Sequence, residues 1–282
     1  MEIFRSRASA RLRDRLVRHV TESGVRSTDR DRRPVTELDV ASLPEPAQRY
    51  LRFMEVVGRP RDLNFTARFR GRFRMRPQGP WMPFDAWQYN CSSPVTRIVD
   101  MRIDAFGLVP MLGSDTYIGG TGRMVGKLLG RYTVADGRGR EFDLGELVTY
   151  LNDAVLLAPA TLLTPATTWS PVDDESFRIE LTDRGHSVSG RVVVAADGRV
   201  RDFHTTDRWW AGADPPVRTP WSTPIERWVR TADGRRCPGA CEAVWHFPDG
   251  ESAYIRGAFD PSSVVFDVDP QALDRAGDVA EV

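Results

Sequence analysis

The amino-acid sequence predicts a mainly β protein: a large curled antiparallel sheet or open barrel, with one helix packed on its concave face and short helices at the N-terminus. Three observations carry this. Phe65, Ala67, Phe69, Gly71, Phe73 and Met75 alternate with Thr66, Arg68, Arg70, Arg72, Arg74 and Arg76, and a period of two marks a strand with unlike faces. Beyond residue 175, the segments SFRIELTD, HSVSGRVVVA, RVRDFHTTDRWW, WSTPIERWVRT, ACEAVWHF, SAYIRGAF and VVFDVD are short and rich in aromatic or branched residues. Asp197-Gly198, Asp233-Gly234 and Asp249-Gly250 lie between them, and such pairs supply the positive φ of tight hairpins. One stretch, FDLGELVTYLNDAVLLAP, interrupts the strands with helical periodicity.

In chain order, the first 33 residues hold ten arginines against five acids, with Leu12, Leu16 and Val20 at helical spacing. They read as a short amphipathic basic helix with a charged linker, giving an arm over residues 1–42. Residues 45–57 set Tyr50, Leu51, Met54 and Val57 on one side before Gly58, a suitable helix stop. The alternating strand follows; its phenylalanine side is expected to be buried, and Arg68, Arg70 and Arg72 largely outside, because unpaired guanidinium groups enter an apolar core only at high cost. In the long helix, expected over 143–158, Asp143 reads as N-cap with Glu146 three residues on, a capping box, and Pro159 lies past the end. A single β-rich ligand-binding domain is expected over 43–270, and a flexible tail over 271–282.

The composition restricts function without specifying it. The 282 residues are 41% hydrophobic, enough for a substantial core, and the formal charge is +0. That balance lacks the basic excess of a nucleic-acid binder. Without a long apolar run or an apolar N-terminal segment the expected location is cytoplasmic, with no transmembrane segment. Cys91, Cys237 and Cys241 are too few for a disulfide framework and fit a reducing compartment.

Familiar catalytic patterns fail on inspection. Gly120, Gly122, Gly126 and Lys127 suggest a phosphate loop, but Thr121 stands at its first glycine and Leu128 replaces the metal-binding hydroxyl. GHSVSG at 185–190 lacks the closing glycine of a nucleophile elbow, since Ser189 is there, and reads as a hairpin arm. Cys237, Cys241 and His246 offer three soft ligands where a closed zinc site needs four. His19, His186 and His204 are scattered. No cofactor and no metal are expected.

Aromatic abundance survives this filter. Eight tryptophans occur, and Trp209, Trp210 and Trp221 stand beside prolines or glycines, where a pocket rim would form; Trp245 is a further candidate. On the long helix, Glu146, Tyr150 and Asp153 make a polar stripe at i, i+4 and i+7. Either it faces solvent, with Glu146 only capping, or it projects a carboxylate and a phenol into an apolar cavity, where desolvation raises the acid's pKa. Glu146 and Tyr150 are therefore the candidate catalytic pair. Gln88, Tyr89, Asp207, Arg208, Tyr254 and Arg256 sit in strand segments, where alternate residues face a cavity.

The succession LPEPAQRYLRF, RGRFRMRPQGPWMPFDAWQY, GELVTYLNDAVLLAP, WSPVDDESFRIELTD, RTPWSTPIERW and AVWHFPDGESAYIRG resembles a poorly characterised bacterial protein family common in actinobacteria. More distantly, the chain looks like the β-barrel cyclases of polyether and tetronate polyketide biosynthesis. The first resemblance implies a β-rich scaffold. The second implies a cofactor-independent cyclase or isomerase that confines a mostly apolar natural-product intermediate. The alternative is a carrier of a lipid-like ligand without turnover; a third reading is a flat acidic protein partner on the arginine ladder. The expected partner is a small apolar or amphipathic molecule.

Overall fold

A computed structural model describes residues 2–26, 32–105 and 109–269. Three helices come first, α1 (Glu2–Glu22), α2 (Glu37–Ala41) and α3 (Glu45–Phe53). A six-stranded meander follows: β1 (Asn64–Phe73), β2 (Met82–Ser92), β3 (Val95–Ala105), β4 (Val109–Ile118), β5 (Thr121–Leu128) and β6 (Tyr132–Gly137). After α4 (Arg140–Leu157) come β7 (Thr167–Asp173), β8 (Ser176–Asp183), β9 (His186–Val194) and β10 (Val200–Thr205). The short β11 (Trp209–Trp210) and β12 (Val217–Arg218) pair only with each other. The chain then continues through β13 (Trp221–Ser222), β14 (Ile225–Arg230), β15 (Arg236–Phe247), β16 (Gly250–Phe259) and β17 (Val265–Phe266).

Fifteen strands form one antiparallel sheet, mainly in the spatial order β6, β5, β4, β3, β2, β1, β16, β15, β13, β10, β9, β8, β7, with β14 beside β15 and β17 beside β1. Its two edges, β6 and β7, are consecutive in the sequence and joined through α4. The connecting helix therefore crosses between the arms of the sheet, packing on β3, β4 and β5 from one arm and on β9, β10 and β15 from the other. Near the gap the arms also touch directly, where the Tyr117 hydroxyl donates to Asp183 Oδ2 at 2.8 Å. The result is the expected curled, open sheet with a helix on its concave side.

Local sequence explains the pieces. The Asp-Gly turns close β9 to β10, β14 to β15 and β15 to β16, with φ of 85° at Gly198, 83° at Gly234 and 133° at Gly250. At Gly198 a Cβ would also fall 2.2 Å from the Arg49 carbonyl oxygen, so only glycine fits. Gly119 and Gly120, the second of them a glycine of the supposed phosphate loop, turn β4 into β5 with φ of 62° and 90°. On β1, Phe65 and Ala67 are buried and Arg70 and Arg72 exposed. Arg68 is half-buried, made tolerable by a bidentate pair with Asp85 at 2.9 and 2.8 Å. Phe69 and Phe73 are only half-buried.

Two expectations are corrected at the helices. α4 starts at Arg140 with Gly139 as N-cap, so Asp143 does not cap it; instead Asp143 Oδ1 accepts the Gly122 amide at 2.7 Å and ties the first turns of α4 to β5. The helix at 45–57 stops at Phe53, and its Tyr50 hydroxyl donates to the Val155 carbonyl of α4 at 2.7 Å. The basic N-terminal helix docks on its own sheet. Leu16, Val17 and Val20 of α1 pack on Tyr89, Cys91 and Ile98 of the convex face, and each buried aliphatic side chain contributes about 1.5–3 kcal/mol. Arg15 and His19 reach the fully buried Asp100 at 2.9 and 3.3 Å. The expected tail at 271–282 lies outside the described residues.

Candidate functional site

Strand register sorts the concave face into rows. The row under α4 runs Phe65, Asn90, Arg97, Tyr117, Gly122 across β1 to β5; the next runs Ala67, Gln88, Val99, Asp115, Met124. Below them lie Phe69, Ala86, Met101, Gly113, and then Gly71, Phe84, Ile103, Met111. Charge and amide groups are thus confined to the two upper rows. The lower rows, ending at Phe73 and Met82, form an apolar cluster that contains no residue of α4.

The upper rows meet the polar stripe of α4. Glu146, Tyr150 and Asp153 are 4%, 3% and 6% exposed, so the stripe faces inward. Arg97 of β3 spans two of its members: Nη1 donates to Glu146 Oε2 at 2.8 Å and Nε to Asp153 Oδ2 at 2.8 Å. Asn90 adds a contact from Nδ2 to the same Asp153 oxygen at 3.3 Å. Glu146 therefore belongs to a buried ion cluster instead of a capping box. Burial pushes its carboxyl up to about 7, with the neighbouring Asp115 acting in the same direction and Arg97 and Arg208 opposing. Asp115 is raised for the same first reason. Burial alone would lower the Arg97 pKa, but Asp153, Glu146 and Asp115 reverse that and keep the guanidinium charged. Two guanidinium groups, Arg97 and Arg208, face three carboxyls, so the cluster is neutral when it holds one proton.

A second wall comes from the other arm. Trp221 of β13 pairs in register with Trp245 of β15, and a register shift between Ala243–Ile255 and Val244–Ala253 leaves Tyr254 as an extra residue on β16. That bulge brings Tyr254 inside, where its ring stacks on Trp245 at 5.8 Å and its hydroxyl accepts from Trp221 Nε1 at 3.2 Å. Arg208 lies against both tryptophans, its guanidinium carbon 4.6 Å from the Trp221 ring and 5.5 Å from that of Trp245. The preceding Asp207 holds this loop by accepting the Ser189 amide at 2.8 Å and pairing with Arg218 at 2.6 Å.

Of the sequence candidates, Glu146, Tyr150, Gln88, Trp221, Trp245 and Tyr254 belong to this concave region. Tyr89, one residue from Gln88, faces the opposite way and is covered by α1. Arg256 is exposed, paired with Glu242 at 2.7 Å and laid against Trp81 on the surface. Those two leave the site, because neighbouring strand residues point to opposite faces. Trp209 and Trp210 sit on the small β11–β12 ladder; Trp209 lies under Arg218, and Trp210 packs edge-on against Phe247 at 5.1 Å. Arg97, Asn90 and Asp115 escaped the sequence reading. The signal was present: Val95, Arg97, Val99, Met101 and Ile103 share one face of β3, and a lone arginine on an apolar face asks for buried partners.

A separate outer groove of about 580 Å³ opens between β10 and β14, lined by Arg201, Ile225, Arg227, Trp228 and Arg236 among others. None of the site residues above lines it. Among the described residues no group of three or more His, Cys, Asp or Glu side chains is placed to hold a metal ion. Nor is any described helix long and apolar enough to cross a membrane.

Three solved structures share part of this shape. A candidate outer membrane lipoprotein-sorting protein domain from Vibrio parahaemolyticus aligns with 12% identity and TM-score 0.41, covering 76% of this chain and 90% of its own. A DUF1329 family protein from Desulfovibrio piger aligns with 12% identity and TM-score 0.42, covering 86% and 98%. A β-barrel-like DUF1849 protein from Brucella abortus has 8% identity and TM-score 0.29, covering 73% and 98%. Among curated proteins none matches the chain. Nothing in these comparisons supports the likeness to polyketide cyclases. Residues 33–257, from the end of the N-terminal linker to β16, match the model of a family of unknown function, DUF6544, and the chain belongs to that family.

Proposed function

We propose that the protein binds an amphipathic small molecule on the concave face of its sheet, as a carrier or binding protein. One observation carries the reading: the polarity gradient of that face. Three row steps, or six residues, separate Gln88 from Met82, roughly 20 Å at about 3.4 Å per residue, and along them the lining changes from charged and amide groups to Phe, Met and Ile. An apolar chain on the lower rows removes exposed apolar surface at about 25 cal/mol per Å², while its polar end reaches donors and acceptors that a uniformly apolar core would lack. Methionines at 82, 101 and 111 suit a chain of variable shape, since the unbranched thioether adapts to its neighbours.

The test is direct. The purified chain, extracted into organic solvent and examined by mass spectrometry, should release an amphiphile, and the emptied protein should bind an apolar fluorescent dye that added amphiphile displaces. Met111→Asp, which places a charge on the apolar rows, should abolish dye binding and leave the circular dichroism spectrum unchanged. Dye binding that survives this change would refute the reading.

A second reading keeps the same concave face and adds turnover. Glu146, with its carboxyl pushed up to about 7, has the proton affinity that a general acid needs near neutrality, and Tyr150 lies one helical turn away. A cofactor-free isomerisation or cyclisation of the bound molecule would then require Glu146→Gln to lose turnover while keeping affinity. Equal turnover in that variant excludes it.

A further inference from the structure

Several polar groups around Arg208 are left without partners among the described residues. Arg208 Nε is buried without a hydrogen-bond partner, and among the described residues its guanidinium forms no ion pair. The Asp115 side chain likewise has no ion pair or hydrogen bond among the described residues. Yet the positive charge of Arg208 acts on both Asp115 and Glu146. Arg208, seated on the Trp221 and Trp245 rings, thus acts on two acids to which it makes no direct bond. Two more donors face the same region. Tyr254 accepts from Trp221, which leaves its own hydroxyl proton to give, and Gln88 Nε2 is buried with no partner.

We propose that Arg208, at the polar end of the concave rows, anchors the carboxyl group of a long-chain monocarboxylic amphiphile. The inference rests on the binding reading above. Three features select a carboxylate. The planar guanidinium fork, set over two tryptophan rings, matches a planar bidentate acceptor. Among the described residues, Arg208 is the one cation at this site without an ion pair, beside two acids, which suits a single negative charge; a phosphate monoester would bring about −1.5 to −2 and meet repulsion. A protonated Asp115 or Glu146 can donate to the second carboxylate oxygen, whereas an alcohol would leave the fork without a charged acceptor. Binding is then linked to proton uptake. The titratable and charged groups facing the site are Arg97 on β3, Asp115 on β4, Glu146, Tyr150 and Asp153 on α4, Arg208 in the loop after β10, and Tyr254 on β16. The cluster is neutral with one proton, and the incoming carboxylate is balanced by a second.

The experiment compares laurate, dodecanol and dodecyl phosphate, which share one chain, by tryptophan fluorescence and calorimetry on the whole protein and on Arg208→Met. Laurate should bind the unaltered protein most tightly, and more tightly at pH 6 than at pH 8. Arg208→Met should weaken laurate by roughly tenfold to a hundredfold and leave dodecanol unchanged. Arg208→Lys and Asp115→Asn guard against misfolding of that variant. The first should retain part of the preference for laurate, and the second should flatten its pH dependence. Dodecanol binding as tightly as laurate, or dodecyl phosphate binding more tightly, overturns the carboxylate assignment while the apolar rows keep their role. Failure of all three to bind overturns the binding reading itself.

Discussion

Replacing Arg97 with methionine removes the cation that Glu146 and Asp153 both hold. The side chain is 8% exposed and makes two charge-assisted bonds of 2.8 Å, so its loss leaves two carboxyls on α4 buried and uncompensated. Breaking a buried pair in this way costs about 3–5 kcal/mol. The cost must depend on pH. Unfolded Glu and Asp titrate near 4.3 and 3.9, whereas Glu146 in the folded protein is already pushed up to about 7, and removing Arg97 raises it further. The folded variant therefore binds more protons than its unfolded chain across the weakly acidic range, and its stability falls as pH rises. Urea unfolding followed by tryptophan fluorescence should give a loss of about 3–5 kcal/mol at pH 8 and a clearly smaller one at pH 5.5. Adding Glu146→Gln and Asp153→Asn to the variant should restore most of the stability, because no charge is then orphaned. A loss below about 1 kcal/mol at pH 8, or one equally large at pH 5.5, would refute the buried cluster as described.

In the unaltered protein, Glu146 alone should lower stability by up to about 3 kcal/mol as pH rises from its unfolded value near 4.3 to about 7; Glu146→Gln should flatten that slope, and identical slopes would contradict the assignment. Gly122→Ala should cost about 1–3 kcal/mol, since its Cβ would lie 2.1 Å from the Phe142 carbonyl oxygen where α4 rests on β5; a thermal melt matching the parent would show that the helix can shift freely. Phe65→Ala, at 1% exposure, should cost about 3–5 kcal/mol, and Arg70→Ala, whose pair with Asp260 is 57% exposed at the arginine, under about 1 kcal/mol; chemical denaturation that reverses this order would invert the two faces of β1. Cys237 and Cys241 are buried and their thiols are pushed up to about 12, by burial first, so neither should react with a thiol reagent at pH 8 until urea unfolds the chain; prompt labelling of the native protein would contradict their placement.

Much of the architecture was local, and local features are legible in sequence. The alternation of Phe65 to Arg72, the three Asp-Gly turns and the apolar run of α4 depend on neighbours within a few residues, because backbone preference and side-chain period act at that range. The strands β3 to β6 were harder to read, since Arg97 and Asp115 occupy inward positions and break the apolar alternation that announces a strand. Tertiary structure alone decided the rest. Gln88 and Tyr89 differ by one position, and only the register with β1 and β3 sends the first to the concave face and the second under α1. The same holds for Glu146, Tyr150 and Asp153, a stripe compatible with solvent until Arg97 is found 49 and 56 residues away from its two acids. Tyr254 enters the site through a bulge set by pairing between β15 and β16, and Arg208 meets Trp221 and Trp245 through the placement of its loop. Pairing register, bulges and the docking of a helix across two arms are long-range decisions. They depend on summed burial over the whole sheet, and a one-residue slip would turn every side chain to the other face.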